Sequence, residues 1–277
     1  MSADATIVLT GLSAVDAGDA HAPDVLPWLK SRKSRKFMGK QDELAVVAAG
    51  RALTQAQLIG NEILSEAGLY LAVGHIPFER AEIEAIAHHS LDATGAFCMR
   101  KFATEGIEQV NPLLTFRCLP NMPAFHVSLN FDIRGPYRVA YPGVGQFYAM
   151  LEEAVCDLRE GRVRHALVGG VADQNNFLVE FFFQRSAQRA GLGRQDAAGF
   201  LCIELAGTAR ARGATSIAAL QELTVRHMPN GDASLDETLC HAASLPRLLV
   251  ASAHHTYVKH SGTGLDRTKV SSTWGPV

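Results

Sequence analysis

Tyr137–Tyr141 (YRVAY) is a short β-prone run that meets a sharp turn, Pro142-Gly143-Val144-Gly145, with a helical pattern directly behind it. A strand–turn–helix elbow lifts one side chain clear of the backbone, a common way to present a nucleophilic Cys or Ser. Val144 stands at the tip of this elbow. Its side chain has no lone pair and no titratable proton, so nucleophilic catalysis from this position is chemically excluded. The flanking glycines suit an anion at a helix N-terminus, but the backbone geometry of a tight turn accounts for them equally well.

Other reactive side chains are scattered. Cys156 lies in the helix behind the elbow and cannot take the place of Val144. Gln146 sits at the helix start, two residues past the tip. His126 follows an apolar helix face and reads as a satisfied core histidine, whereas His88-His89 reads as exposed. His254, His255 and His260 have no Cys or acidic ligand suitably spaced, so no metal is expected, and nothing else calls for a cofactor. Phe181-Phe182-Phe183 reads first as packing and second as a partner contact. Ser31–Lys40 holds five basic residues (Arg32, Lys33, Arg35, Lys36, Lys40) and no acidic one, which suits a solvated loop or a dock for an acidic partner.

The elements that must position these residues alternate. Ile7–Thr10 reads as a strand with a turn beginning at Gly11. Asp42–Leu58 has helical spacing, with Leu44, Val47, Ala48 and Leu53 on one stripe. Gly68–Val73 reads as a strand, Glu79–Ser90 as a short polar helix or loop, and Met122 opens an apolar helix with Pro123 in its first turn. Phe147–Arg159 is helical, with Gly161 placed to end it. Arg164–Gly169 reads as a buried strand closed by Gly169-Gly170. Gly199–Leu205 and Ser216–Val225 read as an adjacent pair of strands separated by the helix Ala206–Gly213. Leu245–Ser252 suits a further strand, and Gly262–Val277 a loose tail. Strand–helix alternation of this kind predicts a layered α/β fold.

The bulk properties agree. The chain has 277 residues, 47% hydrophobic and 19% charged, with a net charge of -2, which is an ordinary globular composition. The near-neutral balance argues against nucleic acid as a partner. Five cysteines without a CxxC pair suggest a reduced, cytoplasmic protein. The opening residues lack the pattern of a signal peptide, and no apolar run is long enough to span a membrane.

Taken in order, five segments resemble the N-terminal half of a β-ketoacyl synthase of the thiolase superfamily. They are IVLTGLSAV, RKFMGKQDELAVVAAGRAL, LPNMPAFHVSLNFDIRGPYRV, EEAVCDLREGRVRHALVGGV and DAAGFLCIELAGTARARGA. The resemblance covers about residues 5–225. It implies a thiolase-like layered α/β fold, essentially one half of a ketosynthase, with residues 1–228 as that half domain and residues 229–277 as a short divergent segment. Counting from Gly135-Pro136, the family's nucleophilic Cys falls at Val144, so no catalytic residue is expected. A complete synthase also has a second half that supplies two histidines. His260-Ser261-Gly262-Thr263-Gly264 resembles one of those motifs only faintly, because its flanks do not follow.

The resemblance also implies a role. Synthases of this family dimerise through the strand beside the nucleophile, and some polyketide systems pair a catalytic ketosynthase with an inactive homologue, the chain-length factor. The segment NPLLTFRCLPNMPAFHVS is similar to chain-length-factor-like proteins of bacterial aryl polyene and xanthomonadin-like pathways. On this reading Leu113, Leu114 and Phe116 lie near the tunnel of a full-length ketosynthase partner, and Arg138, Val139, Ala140 and Tyr141 form the strand that pairs across the heterodimer. The basic segment would meet an acyl carrier protein. The competing readings are an acyl-thioester decarboxylase or hydrolase using His126 or Gln146, and a degenerate synthase with a structural role.

Overall fold

The computed structural model describes residues 3–16, 24–76, 78–142, 145–185, 195–228 and 267–275. Its strands are β1 (Ile7–Asp16), β2 (Gly68–Val73), β3 (Tyr137–Ala140), β4 (His165–Ala172), β5 (Ala197–Leu205), β6 (Ala218–Met228) and β7 (Arg267–Gly275). They form one seven-stranded sheet in the order β3-β2-β4-β5-β1-β6-β7. The pairs β2–β3 and β2–β4 are parallel, and all the others are antiparallel. The helices are α1 (Lys40–Gln55), α2 (Arg80–His89), α3 (Met99–Lys101), α4 (Leu114–Cys118), α5 (Met122–Phe131), α6 (Gln146–Arg159), α7 (Phe177–Gln184) and α8 (Ala206–Ala211).

Side chains alternate across the sheet, as the pleat requires. Leu69, Leu71, Val73, Leu167 and Phe200 pack on one face beneath α1, with Ala124 and Val127 of α5 in the same cluster. Tyr70, Ala166, Val168 and Ile203 pack on the other face against Leu151, Val155 and Leu158 of α6. The sheet is therefore a filling between α1 and α6, a layered α/β arrangement. α1 is buried almost all round, from Gln41 to Leu53, because α5 covers the side turned away from the sheet. Tyr70 carries a hydroxyl into the α6 layer, where it donates to Asp157 Oδ2 at 2.6 Å and so meets its polar requirement inside the core.

Several expectations are corrected. Gly11 does not begin a turn; β1 continues through it to Asp16, with a register shift between Leu9 and Gly11. A side chain there would lie 2.2 Å from the Ala52 carbonyl oxygen, so the glycine serves the close approach of α1 to β1. Gly169-Gly170 does not close β4 but lies within it, because the Phe200 ring occupies the space a Cβ on Gly169 would need. β5 and β6 are not adjacent; β1 lies between them. The expected loose tail contains β7, paired with β6 from Ala219↔Gly275 to Met228↔Arg267. Arg32–Phe37 is a 3-10 helix rather than a loop. Leu245–Ser252 lies outside the described residues.

Gly11→Ala is expected to destabilise the fold by about 1–3 kcal/mol, the usual range for overpacking a dense interior. Urea unfolding of the purified variant measures this, and an unchanged midpoint would contradict the close packing of α1 on β1.

Candidate functional site

β2, β3 and β4 run parallel, and their carboxyl ends mark the edge of the sheet where α/β folds gather their chemistry. β3 ends at Ala140, Tyr141 and Pro142 follow, and α6 begins at Gln146. Its N-cap, Gly145, has φ +83°, a left-handed conformation that favours glycine at the end of the elbow. The strand–turn–helix path read from the sequence is thus present on both sides of the turn. Gly143 and Val144 themselves lie outside the described residues.

The neighbouring strand end is tied down from α1. Gln41 Nε2 donates to the His75 carbonyl at 2.6 Å, and Gln41 Oε1 accepts from the Gly74 N–H at 3.0 Å. The Ile76 N–H reaches the Tyr141 hydroxyl at 3.4 Å, and the His75 and Tyr141 rings meet edge to face, 6.3 Å apart. Burial lowers the His75 pKa, which favours a neutral imidazole beside the elbow.

A charged floor lies at the same edge. Lys40 is ion-paired to Asp196 and lies 3.6 Å from Asp173, which follows β4. Asp196 also accepts the backbone N–H groups of Gln174 (2.8 Å) and Asn175 (2.9 Å). Burial opposes ionisation of Asp196, but the hydrogen bonds from Lys40 and Asn175 outweigh it and hold the carboxyl at about 2. Lys40, though half-exposed, is thus held at this edge by carboxylates rather than free in a basic loop. Arg35 is taken up by Glu43 at 2.9 Å, and Lys36 lies over the Phe37 ring.

The anticipated contact residues fall into two groups. Arg138, Val139 and Ala140 lie in or at the end of β3, the terminal strand of the sheet, and Tyr141 follows it. Arg138 pairs with Glu153 of α6 at 3.1 Å, which ties the edge strand to the helix behind the elbow. Leu113 and Leu114 are half-buried at the start of α4, and Phe116 is exposed with its ring against Phe37, 5.5 Å between centroids. Among the described residues no hydrogen bond, ion pair or ring contact joins the α4 group to the β3 group. The sequence reading missed Gln41, His75 and the Lys40–Asp173–Asp196 cluster. Nothing in the local sequence pattern marks them, because the sheet order alone brings α1 beside the ends of β2 and β4.

The other candidates are placed as follows. His126 is buried as expected, but it is not satisfied: neither ring nitrogen has a hydrogen-bond partner. Gln146 is the first residue of α6. Cys156 is exposed, and burial together with Glu152 and Glu153 raises its pKa, which disfavours the thiolate. His88 and His89 are exposed. Phe181 is exposed beside Arg185, while His254, His255 and His260 lie outside the described residues. Among the described residues no cluster of His, Cys, Asp and Glu is arranged to hold a metal, and no helix is long and apolar enough to cross a membrane.

Lys40→Met is expected to cost about 1–3 kcal/mol, because it leaves the Asp196 carboxylate short of a partner. The sign in acid follows from the depressed carboxyl. Its stabilisation is complete above the ordinary value of 3.8 and is lost as pH falls through about 2. The wild-type chain should therefore resist acid unfolding to a lower pH than Lys40→Met, as read by circular dichroism along an acid titration.

A family model described as "Beta-ketoacyl synthase, N-terminal domain" matches residues 13–197. No curated protein matches the sequence. Among solved structures, a β-ketoacyl synthase from Burkholderia phymatum is similar with a TM-score of 0.61 at 20% identity, covering 82% of this chain and 66% of that one. A type II PKS acyl-carrier protein in complex with its ketosynthase bound to the hexaketide gives 0.66 at 15% identity, covering 86% and 73%. The ishigamide ketosynthase/chain length factor gives 0.56 at 18% identity, covering 79% and 63%. At these identities the likeness is one of fold, and the chain spans only 66% of the first of these structures. The family match takes in the elbow and every strand from β2 to β4, and so the chain belongs to the β-ketoacyl synthase family, whose N-terminal domain it carries.

Proposed function

We propose that this chain is a non-catalytic, chain-length-factor-like subunit. It pairs with a catalytic β-ketoacyl-ACP synthase and shapes that enzyme's acyl tunnel in fatty-acid-like or polyketide biosynthesis of the aryl polyene kind. What carries the reading is the resemblance that puts Val144 in the register of the family's nucleophile, together with the strand and helix on either side of it. A scaffold kept without its reacting atom fits a role in which shape, not bond-making, is what matters.

The edge of the sheet supports pairing. Among the described residues β3 has a neighbour on one side only, which leaves its outer backbone groups available to another strand. Tyr137 is 62% exposed on that strand and Tyr141 45% exposed just after it, and tyrosines are favoured at protein interfaces. In this arrangement Arg138, Val139, Ala140 and Tyr141 lie against the partner ketosynthase. Leu113, Leu114 and Phe116 face its tunnel, where apolar bulk sets product length by steric exclusion. One structural neighbour is itself a ketosynthase/chain length factor, and another is a ketosynthase in complex with an acyl-carrier protein. The carrier protein would be reached through the complex, with the exposed face of Arg32–Phe37 as a basic contact, in the cytoplasm. Residues 1–228 act as the ketosynthase-like unit and residues 229–277 as a divergent segment.

Independent chemistry draws no support from His126. At 1% exposure its ring is sealed between α1 and α5 and has no route to a substrate.

Co-expression with a complete ketosynthase carrying an intact Cys and both His should give a 1:1 heterodimer on size-exclusion chromatography. A chain that stays monomeric beside its cognate synthase, or that turns over acyl or malonyl thioesters by itself, would refute the proposal. Tyr137→Glu should weaken the heterodimer by about 2 kcal/mol, the scale of an interface hot spot, while leaving the thermal midpoint of the isolated chain unchanged.

A further inference from the structure

The contact between α1 and α5 holds two titratable side chains in surroundings that suit neither charge. His126 is 1% exposed, and both ring nitrogens lack hydrogen-bond partners. The Phe37 backbone favours the charged ring, but less than burial opposes it. His126 Nε2 lies 4.0 Å from Asp42 Oδ2, too far for a hydrogen bond but within ion-pair distance. Asp42 is 2% exposed, and its carboxyl accepts the Gly39 N–H at 2.7 Å, which caps α1. A cavity of about 10 Å³, roughly the space one water needs, touches Asp42, Gln41, Gly74 and Arg117.

The surrounding charges do not compensate either group. On α1 the neighbour is Glu43, which repels a second carboxylate and is held by Arg35 of the 3-10 helix. On α4, Arg117 is bound by Glu82 of α2 at 2.6 Å, and Cys118 is a thiol whose pKa burial pushes up to about 11. Among the described residues no Lys or Arg forms an ion pair with Asp42.

We propose that Asp42 and His126 hold one proton between them across the α1–α5 contact, so that ionising either one is coupled to the other and to the N-terminal cap of α1. Burial pushes the Asp42 carboxyl up to about 7 and the His126 imidazole down, so the folded chain favours the uncharged form of each. The Asp42 contribution to stability is complete below the ordinary carboxyl value of 3.8 and is lost as pH rises through about 7. The His126 contribution is complete above its ordinary value of 6.5 and is lost as pH falls. Gln41, next to Asp42, pins Gly74 and His75 beside the elbow, so a change at this cap reaches the functional edge of the sheet.

A histidine-ring NMR titration of the full chain tests this, with the His126 signal identified by its loss in H126Q. Sharing predicts that D42N moves the His126 midpoint by about one pH unit or more, the coupling at which two sites titrate as a pair. It also predicts that the thermal midpoint of the wild type falls relative to that of D42N as pH rises through about 7. An identical His126 titration in wild type and D42N overturns the proposal. Should D42N not fold, H126Q serves instead. Sharing displaces the pH dependence of its thermal midpoint by about one unit or more, and an unchanged profile overturns the proposal.

Discussion

β2 has parallel partners on both sides, β3 through Leu69↔Tyr137 to Ala72↔Ala140 and β4 through Gly68↔Ala166 to Val73↔Val171. Parallel strands need both faces covered and cannot be joined by short hairpins. That requirement places α6 on one face and α1, backed by α5, on the other. It also brings three strand ends to the same edge of the sheet. The elbow, the Gly74–Ile76 segment and the Lys40–Asp173–Asp196 cluster are neighbours because β2 is central to this parallel set.

The polar groups near that edge mostly serve the scaffold. Gln41 and Asp196 accept backbone N–H groups, as buried polar groups must, and the half-exposed Lys40 pairs with Asp196. A second buried network, in which Glu204 meets Arg212 and Thr10, binds β5 to β1 and to the turn after α8. Burial works against the Glu204 charge, but Arg212, His165 and Thr10 more than offset it and hold the carboxyl at about 2. His126 and Asp42 depart from this pattern, since their burial comes without full pairing.

Much of the fold was legible from local pattern. The short apolar run Gly68–Val73 and the helical spacing of Phe147–Arg159 each mark a buried surface, and both elements lie close to where the sequence places them. Gly11 and Gly169-Gly170 were misread because a glycine inside a strand resembles a turn residue until the neighbouring atoms are known. Here those atoms are the Ala52 carbonyl and the Phe200 ring, which are remote in sequence. The same limit hid β1 between β5 and β6, since strand order depends on long-range pairing. It also hid Gln41 and His75, whose association depends on where α1 ends up.

The sequence by itself determined the side chain at the tip of the turn. A valine there cannot attack a thioester in any packing, since that follows from the side chain's atoms alone. It also determined the family, through ordered segments long enough to be matched over residues 13–197. Only the tertiary structure decided that β3 is the terminal strand among those described, that Lys40 pairs with Asp196 and that His126 is buried beside Asp42. Each of these depends on which surfaces meet after the chain has folded, and burial and pairing are properties of that meeting, not of the residues taken one at a time.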